Sequence, residues 1–263
     1  MSRRLLATFV IAAGLLAPIP AGAQAFGGAA RDEPLARFQD PLCPGVIGAE
    51  LDSAQAMVGL IRENAAELGL PLAAEEKCEP NLIVAVLDDP QDYANRLKKE
   101  RPYLFTELSP AERRALFDTP GATRVWARVF TRSRDGMPVD RRENLVDIPQ
   151  TTMMAAHSLI YVPTRRDIVS TMVMLDRRAV QGLTVRQVAD YATLRALSDD
   201  AAAQLSAGGK TILRLFDSPA DRPAGLTSSD LILLKTIYST HANDPASITL
   251  AMADERIKAA GQP

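Results

Sequence analysis

Only two histidines, His157 and His241, occur in the 263 residues, so acid–base chemistry near neutral pH has few places to sit. His157 precedes an apolar run and adjoins Ser158, with Asp167 a short way downstream; His241 lies in the turn-like Thr240-His241-Ala242-Asn243-Asp244-Pro245. A hydrolase triad is drawn on paper from His157, Ser158 and Asp167, but triads are defined by geometry and not by nearness in sequence. No G-x-S-x-G elbow is present. Ser206-Ala207-Gly208-Gly209-Lys210-Thr211 ends like a phosphate-binding loop. It lacks the first glycine of that motif and follows no strong strand, so it reads as a helix C-cap leading into a new helix. The adjacent acids Asp88-Asp89 and Asp199-Asp200 read as helix caps rather than as an acid–base pair.

The two cysteines, Cys43 and Cys78, are too far apart for a C-x-x-C redox pair. Their meaning depends on the compartment. Arg3 and Arg4 begin the chain, Leu5 to Leu16 is apolar, and Ala21-Gly22-Ala23 offers the small residues a signal peptidase accepts. The apolar run falls short of the roughly 20 residues of a membrane-spanning helix. Residues 1–23 are therefore expected to be a signal peptide, with a periplasmic or secreted product and no stable membrane insertion after cleavage. Ala23-Gln24-Ala25 supplies a second cleavage site. In an oxidising compartment a Cys43–Cys78 disulfide is the default and two buried thiols the other reading.

Charge excludes little but points away from polyanions. Without Arg3 and Arg4, 28 basic residues face 32 acidic ones, a net charge of −4. Nucleic acid is not expected as a partner on that balance.

The elements that position these residues follow from period and punctuation. Asp52 and Gln55 are read as capping a helix with Met57, Val58, Ile61, Ala65 and Leu68 on one face and Gly69 at its end. Asn81 to Leu87 is a continuous apolar run, expected of a strand covered on both sides. Pro90 to Lys99 reads as a short helix, and Ser109-Pro110-Ala111-Glu112 as a capping box opening a helix to Phe117. Val125, Ala127 and Val129 alternate as in a strand, and Asp135-Gly136 marks a turn in the irregular stretch from Arg132 to Ala156. Ser158 to Val162 and Ile168 to Leu175 read as two strands separated by PTRRD. Thr184 and Gln187 cap a helix with a narrow stripe of Val185, Val188, Ala189, Ala192 and Ala196. A short helix near Thr211 to Phe216, a buried helix capped by Thr227 and Asp230, and a last helix over Ala246 to Ala259 complete the chain. The fold class expected is α+β, a mixed sheet of roughly four to six strands with packed helices and a helical C-terminal part. The mature residues 24–263 are read as one such domain, with a disulfide-bearing half over 24–131.

The stretch from Met174 to Ser239 resembles the active-site half of zincin-type metalloproteases of the metzincin type: a core strand, MVMLDRRAVQGLTVRQVADYATLRALSD, then TILRLFDS, then GLTSSDLILLKTIYS. Leu226, Asp230 and Tyr238 follow the family's C-terminal helix pattern, and Leu213 stands where a methionine is expected. Residues 157–263 form the zincin-like half on this resemblance, and the chain as a whole resembles secreted bacterial proteins. Where zincins carry H-E-x-x-H-x-L-G-L, this chain reads Ala189-Asp190-Tyr191-Ala192-Thr193-Leu194-Arg195-Ala196-Leu197. Ala189 has no ligand atom and Thr193 is a poor substitute for imidazole, so no metal and no cofactor are expected. Asp190 falls at the general-base position without an activated water to use, and is expected to face solvent.

Zincins hold substrate as an added strand along a sheet edge, a mode that outlives the metal. The resemblance therefore implies a catalytically inactive binding module for a peptide or envelope protein. Ser158 to Val162 would be its edge strand, and Tyr161, Asp190, Tyr191, Thr193 and Arg195 its groove residues. A hydrolase with a metal-independent site near His157 or His241, and a purely structural envelope protein, are the other classes.

Overall fold

A computed structural model describes residues 33–139, 162–198, 201–205 and 210–261. Its centre is a five-stranded sheet made by β1 (Arg37–Phe38), β2 (Pro44–Ile47), β3 (Leu82–Leu87), β4 (Thr123–Ser133) and β5 (Thr164–Asp176). β2 and β3 pair in parallel, and β3 pairs in parallel with the upper part of β5. β1 pairs in parallel with β5 at Asp167 and Ile168, in line with β3 on the same edge. β4 takes the other edge of β5, antiparallel, from Thr123 opposite Leu175 to Ser133 opposite Thr164, with a bulge after Arg128. The mixed α+β sheet expected from the sequence is thus present.

Alternation of side chains sends the sheet into two apolar clusters. Leu82, Val84, Val173 and Leu175 pack on one face against α1 (Leu51–Glu67) and α4 (Val185–Leu197), with α6 (Ser228–Ser239) and α7 (Ala246–Ala260) behind them. Ala85, Met174 and Trp126 pack on the other face against α2 (Pro90–Glu100) and α3 (Pro110–Phe117). Cover on both faces is why Leu82 to Leu87 carries no polar alternation. A further short helix, α5, spans Ala201–Leu205. Among the described residues no helix is long and apolar enough to cross a membrane.

Cys43 and Cys78 form a disulfide with Cα atoms 6.0 Å apart. The bridge, with Asn81 N donating to Cys43 O and Cys43 N to Asn81 Oδ1, fastens the start of β2 to the entry of β3.

Three capping boxes form as the sequence predicts, at Ser109/Glu112, Thr184/Gln187 and Thr227/Asp230. Four expectations need correction. α1 starts from Glu50, which makes no side-chain cap bond, so Asp52 and Gln55 do not cap it. PTRRD does not separate two strands: β5 begins at Thr164, because Arg165 and Asp167 are absorbed into pairing with β4. α4 is not buried along a narrow stripe but on nearly every side from Val188 to Leu197, Arg195 being the exception. Asp190 does not face solvent; it is buried. The Asp135-Gly136 turn is present, with Gly136 at φ 87° and Arg132 bridged to Pro138. Residues 1–32, His157, Ser158, Tyr161 and most of the Ser158 to Val162 segment lie outside the described residues.

Candidate functional site

α4 meets the rest of the molecule through two sets of polar side chains, and they point to different neighbours. On the side facing α1, Asp190 is 3% exposed and Thr193 fully buried. Asn64 Nδ2, from α1, donates to Asp190 Oδ1 at 2.8 Å and to Thr193 Oγ1 at 3.2 Å. Leu226 N donates to Asp190 Oδ2 at 2.9 Å, and Arg186 lies 3.7 Å from Oδ1. Thr193 donates its own proton back to Ala189 O at 2.8 Å. Gly225 presses on the same carboxylate, since a Cβ there would stand 2.4 Å from Asp190 Oδ2. A buried carboxylate with its acceptors filled by an amide, a backbone N–H and an arginine ties α1, α4 and the 225–226 segment together. Ala189 and Thr193 are both fully buried in this packing.

On the other side, Tyr191 reaches β4. Its hydroxyl is 2.7 Å from Thr123 Oγ1, and its ring meets Phe216 edge-on at 5.0 Å. Arg195, one turn on, lines a cleft of about 140 Å³ that opens between α3, the start of β4 and the end of α4. The groove residues proposed on sequence therefore split: Arg195 lines this cleft, Tyr191 only reaches it through its contact with Thr123, and Asp190 and Thr193 do not line it. Tyr161 lies outside the described residues.

The cleft runs along the edge of β4 that faces away from β5. Among the described residues only β5 and a bridge at Arg132 pair with β4. Asp176 N donates to Ala122 O, which fixes the hydrogen-bonding phase of the antiparallel ladder. Arg124, Trp126 and Arg128 therefore bond to β5, and Thr123, Val125 and Ala127 turn their N–H and C=O groups outward. A second cavity of about 160 Å³ continues along the edge from Trp126 to Phe130, beside Tyr103 and Leu108. Tyr103 is 65% exposed there, a large aromatic side chain beside the outer edge of β4.

Asp167, a member of the paper triad, is engaged elsewhere. It is buried on β5, with Arg165 at 3.0 Å and Arg132 at 3.4 Å. Burial pushes its carboxyl above the usual range, while the Arg165 hydrogen bond and the charges of Arg165 and Arg132 oppose that rise. Arg37, opposite it on β1, is buried too and donates to Thr240 O and His241 O. Burial lowers the Arg37 pKa, opposed by Tyr238, Asp244 and Asp167. His241 is exposed in its turn, its N–H held by Asp244 Oδ2. Among the described residues no group of three or more His, Cys, Asp or Glu is placed to hold a metal ion.

The sequence reading missed Asn64, Gly225, Thr123, Arg124 and Trp126. Asn64 had a signal: it sits three residues after Ile61 and seven after Met57, inside the apolar face of α1. A polar residue in such a stripe asks for a buried partner. No family model, curated protein or solved structure matches the chain.

Proposed function

We propose that this protein is an exported, non-catalytic binding domain on a zincin-like scaffold, taking an extended peptide as an added strand along the outer edge of β4. The observation that carries the reading is the edge at Thr123, Val125 and Ala127, which no other described residue pairs with and which the two cavities flank. An exposed row of backbone donors and acceptors is a template for another strand, and main-chain pairing gives affinity while side pockets give selectivity. The added strand lies on β4 in this reading; the Ser158 to Val162 segment named from the sequence lies almost wholly outside the described residues. Tyr191 supports it from below, holding Thr123 at the mouth of the cleft.

The zincin-like part of the reading is supported by the order of β5, α4, the Ile212–Phe216 turn and α6, the order quoted from the sequence. Export is supported by the leader pattern and by the disulfide.

The test is selection of displayed random peptides on the full mature chain and on Ala127→Pro. Proline is tolerated on an edge strand whose N–H faces outward, and it removes a donor the added strand needs. Peptides enriched on the parent and lost on the variant, with unchanged circular dichroism, are the expected result. Equal enrichment on both, or none on the parent, refutes the reading.

A further inference from the structure

The cleft at the start of β4 has a chemical character beyond a bare strand edge. Two of the side chains lining it carry buried N–H groups with no hydrogen-bond partner among the described residues, Arg124 Nε and Trp126 Nε1. Buried polar groups are nearly always paired, so two unmet donors on one cleft call for an acceptor. The other Arg124 nitrogens are committed, NH1 to Leu116 O at 2.9 Å and NH2 to Gln91 Oε1 at 3.0 Å. Those bonds hold the guanidinium against the C-terminal end of α3.

A second guanidinium lines the same cleft from the opposite wall, that of Arg195. Among the described lining residues Glu112 is the one carboxylate, and its Oε2 already accepts from Ser109 N at 2.7 Å in the α3 capping box. The described lining thus carries two arginines and an indole N–H beside one engaged acid. Leu116, Ile168 and Ala196 supply an apolar wall, which strengthens a charge-assisted contact by keeping water away. Further along the edge the charge is of the same sign at Arg128, whose guanidinium lies 5.7 Å over the Phe130 ring. Burial already lowers the Arg124 pKa, against the pull of Asp89 and Asp118.

We propose that the added strand is acidic, with a Glu or Asp side chain entering the cleft to meet Arg124, Trp126 and Arg195. This rests on the reading of β4 as a peptide-binding edge and names the class of peptide. A side-chain carboxylate projects sideways from a strand, as entry from an edge-bound peptide requires, and has lone pairs enough for several donors.

The test uses three degenerate heptapeptide pools, acetylated and amidated so that no terminal carboxylate competes. The central residue is Glu, Gln or Lys, and the other positions are randomised among Val, Thr, Ile, Ser and Tyr. Retention on the immobilised full mature chain is quantified by mass spectrometry, in parallel with an Arg195→Gln variant whose fold is checked by circular dichroism. The Glu pool should be retained about tenfold more than Gln, as one charge-assisted contact implies, and more still than Lys. Arg195→Gln should compress that preference. Equal retention of all pools, or a preference untouched by Arg195→Gln, overturns the acidic class while leaving the peptide edge standing. Retention of no pool overturns both. Sedimentation as a dimer that Ala127→Pro makes monomeric assigns the edge to a second copy and likewise overturns both.

Discussion

Replacing Asp190 by alanine should destabilise the protein severely, although the residue stands in the helix at a position the sequence reads as solvent-facing. The change takes the acceptor from Asn64 Nδ2, which is buried, and from Leu226 N, which is part-buried. Each unsatisfied buried donor costs about 1–3 kcal/mol. Asn64 keeps a second acceptor in Thr193 Oγ1, and Leu226 N is only part-buried, so both shares lie near the low end of that range. Arg186 is 47% exposed at 3.7 Å, and a pair of that kind adds under about 1 kcal/mol. The sum is about 2–3 kcal/mol, a sizeable part of the about 5–15 kcal/mol that holds a domain folded. The assay is urea unfolding of the disulfide-intact chain followed by far-ultraviolet circular dichroism. Asn64→Ala and the double variant close a cycle whose coupling energy should be at least about 1 kcal/mol. An Asp190→Ala cost within about 0.5 kcal/mol, the range of ordinary surface substitutions, would refute the buried latch.

Gly225→Ala puts a Cβ 2.4 Å from Asp190 Oδ2 and should cost about 1–3 kcal/mol; in an Asp190→Ala background the same change should cost much less, read by the same unfolding curves. Replacing Cys43 and Cys78 together by serine removes the one disulfide of the described chain, a sequence separation of 35, and should lower stability by about 3–4 kcal/mol by loop entropy; an unchanged urea midpoint would argue against that contribution. Asp167 predicts a pH dependence. Because burial raises its folded pKa, folding favours the protonated form, and the stability so gained is full below the ordinary carboxylate value near about 4 and fades as pH climbs through the raised value. The wild type should therefore lose stability relative to Asp167→Asn as pH rises above about 4. The opposite trend would mean that Arg37, Arg132 and Arg165 outweigh burial.

What the sequence discloses and what it conceals divide by range of interaction. The boxes at Ser109, Thr184 and Thr227 were legible because donor and acceptor lie three residues apart, and Gly69 ends α1 with φ 74° as its position suggested. The run Leu82 to Leu87 announced a strand covered on both sides through its lack of alternation. The PTRRD segment was misread because proline and charge punctuate a chain locally, whereas β5 satisfies those charges across the ladder, Arg132 of β4 reaching Asp167. The burial of Asp190 was not readable from α4 at all. Its amide partner Asn64 lies 126 residues away, and only docking of α1 on α4 turns a helix-surface acid into a core one. The edge status of β4 is likewise a property of the assembled sheet: Val125, Ala127 and Val129 spell a strand, but not which of its sides is left unpaired.

Backbone hydrogen exchange of the mature chain, with and without saturating peptide from the retained pool, tests the central claim most directly. Strand addition predicts slowed exchange at Thr123, Val125 and Ala127, whose N–H groups face outward, and little change at Arg124 and Trp126, already bonded to β5. Bound peptide with unaltered exchange at those three amides would contradict it.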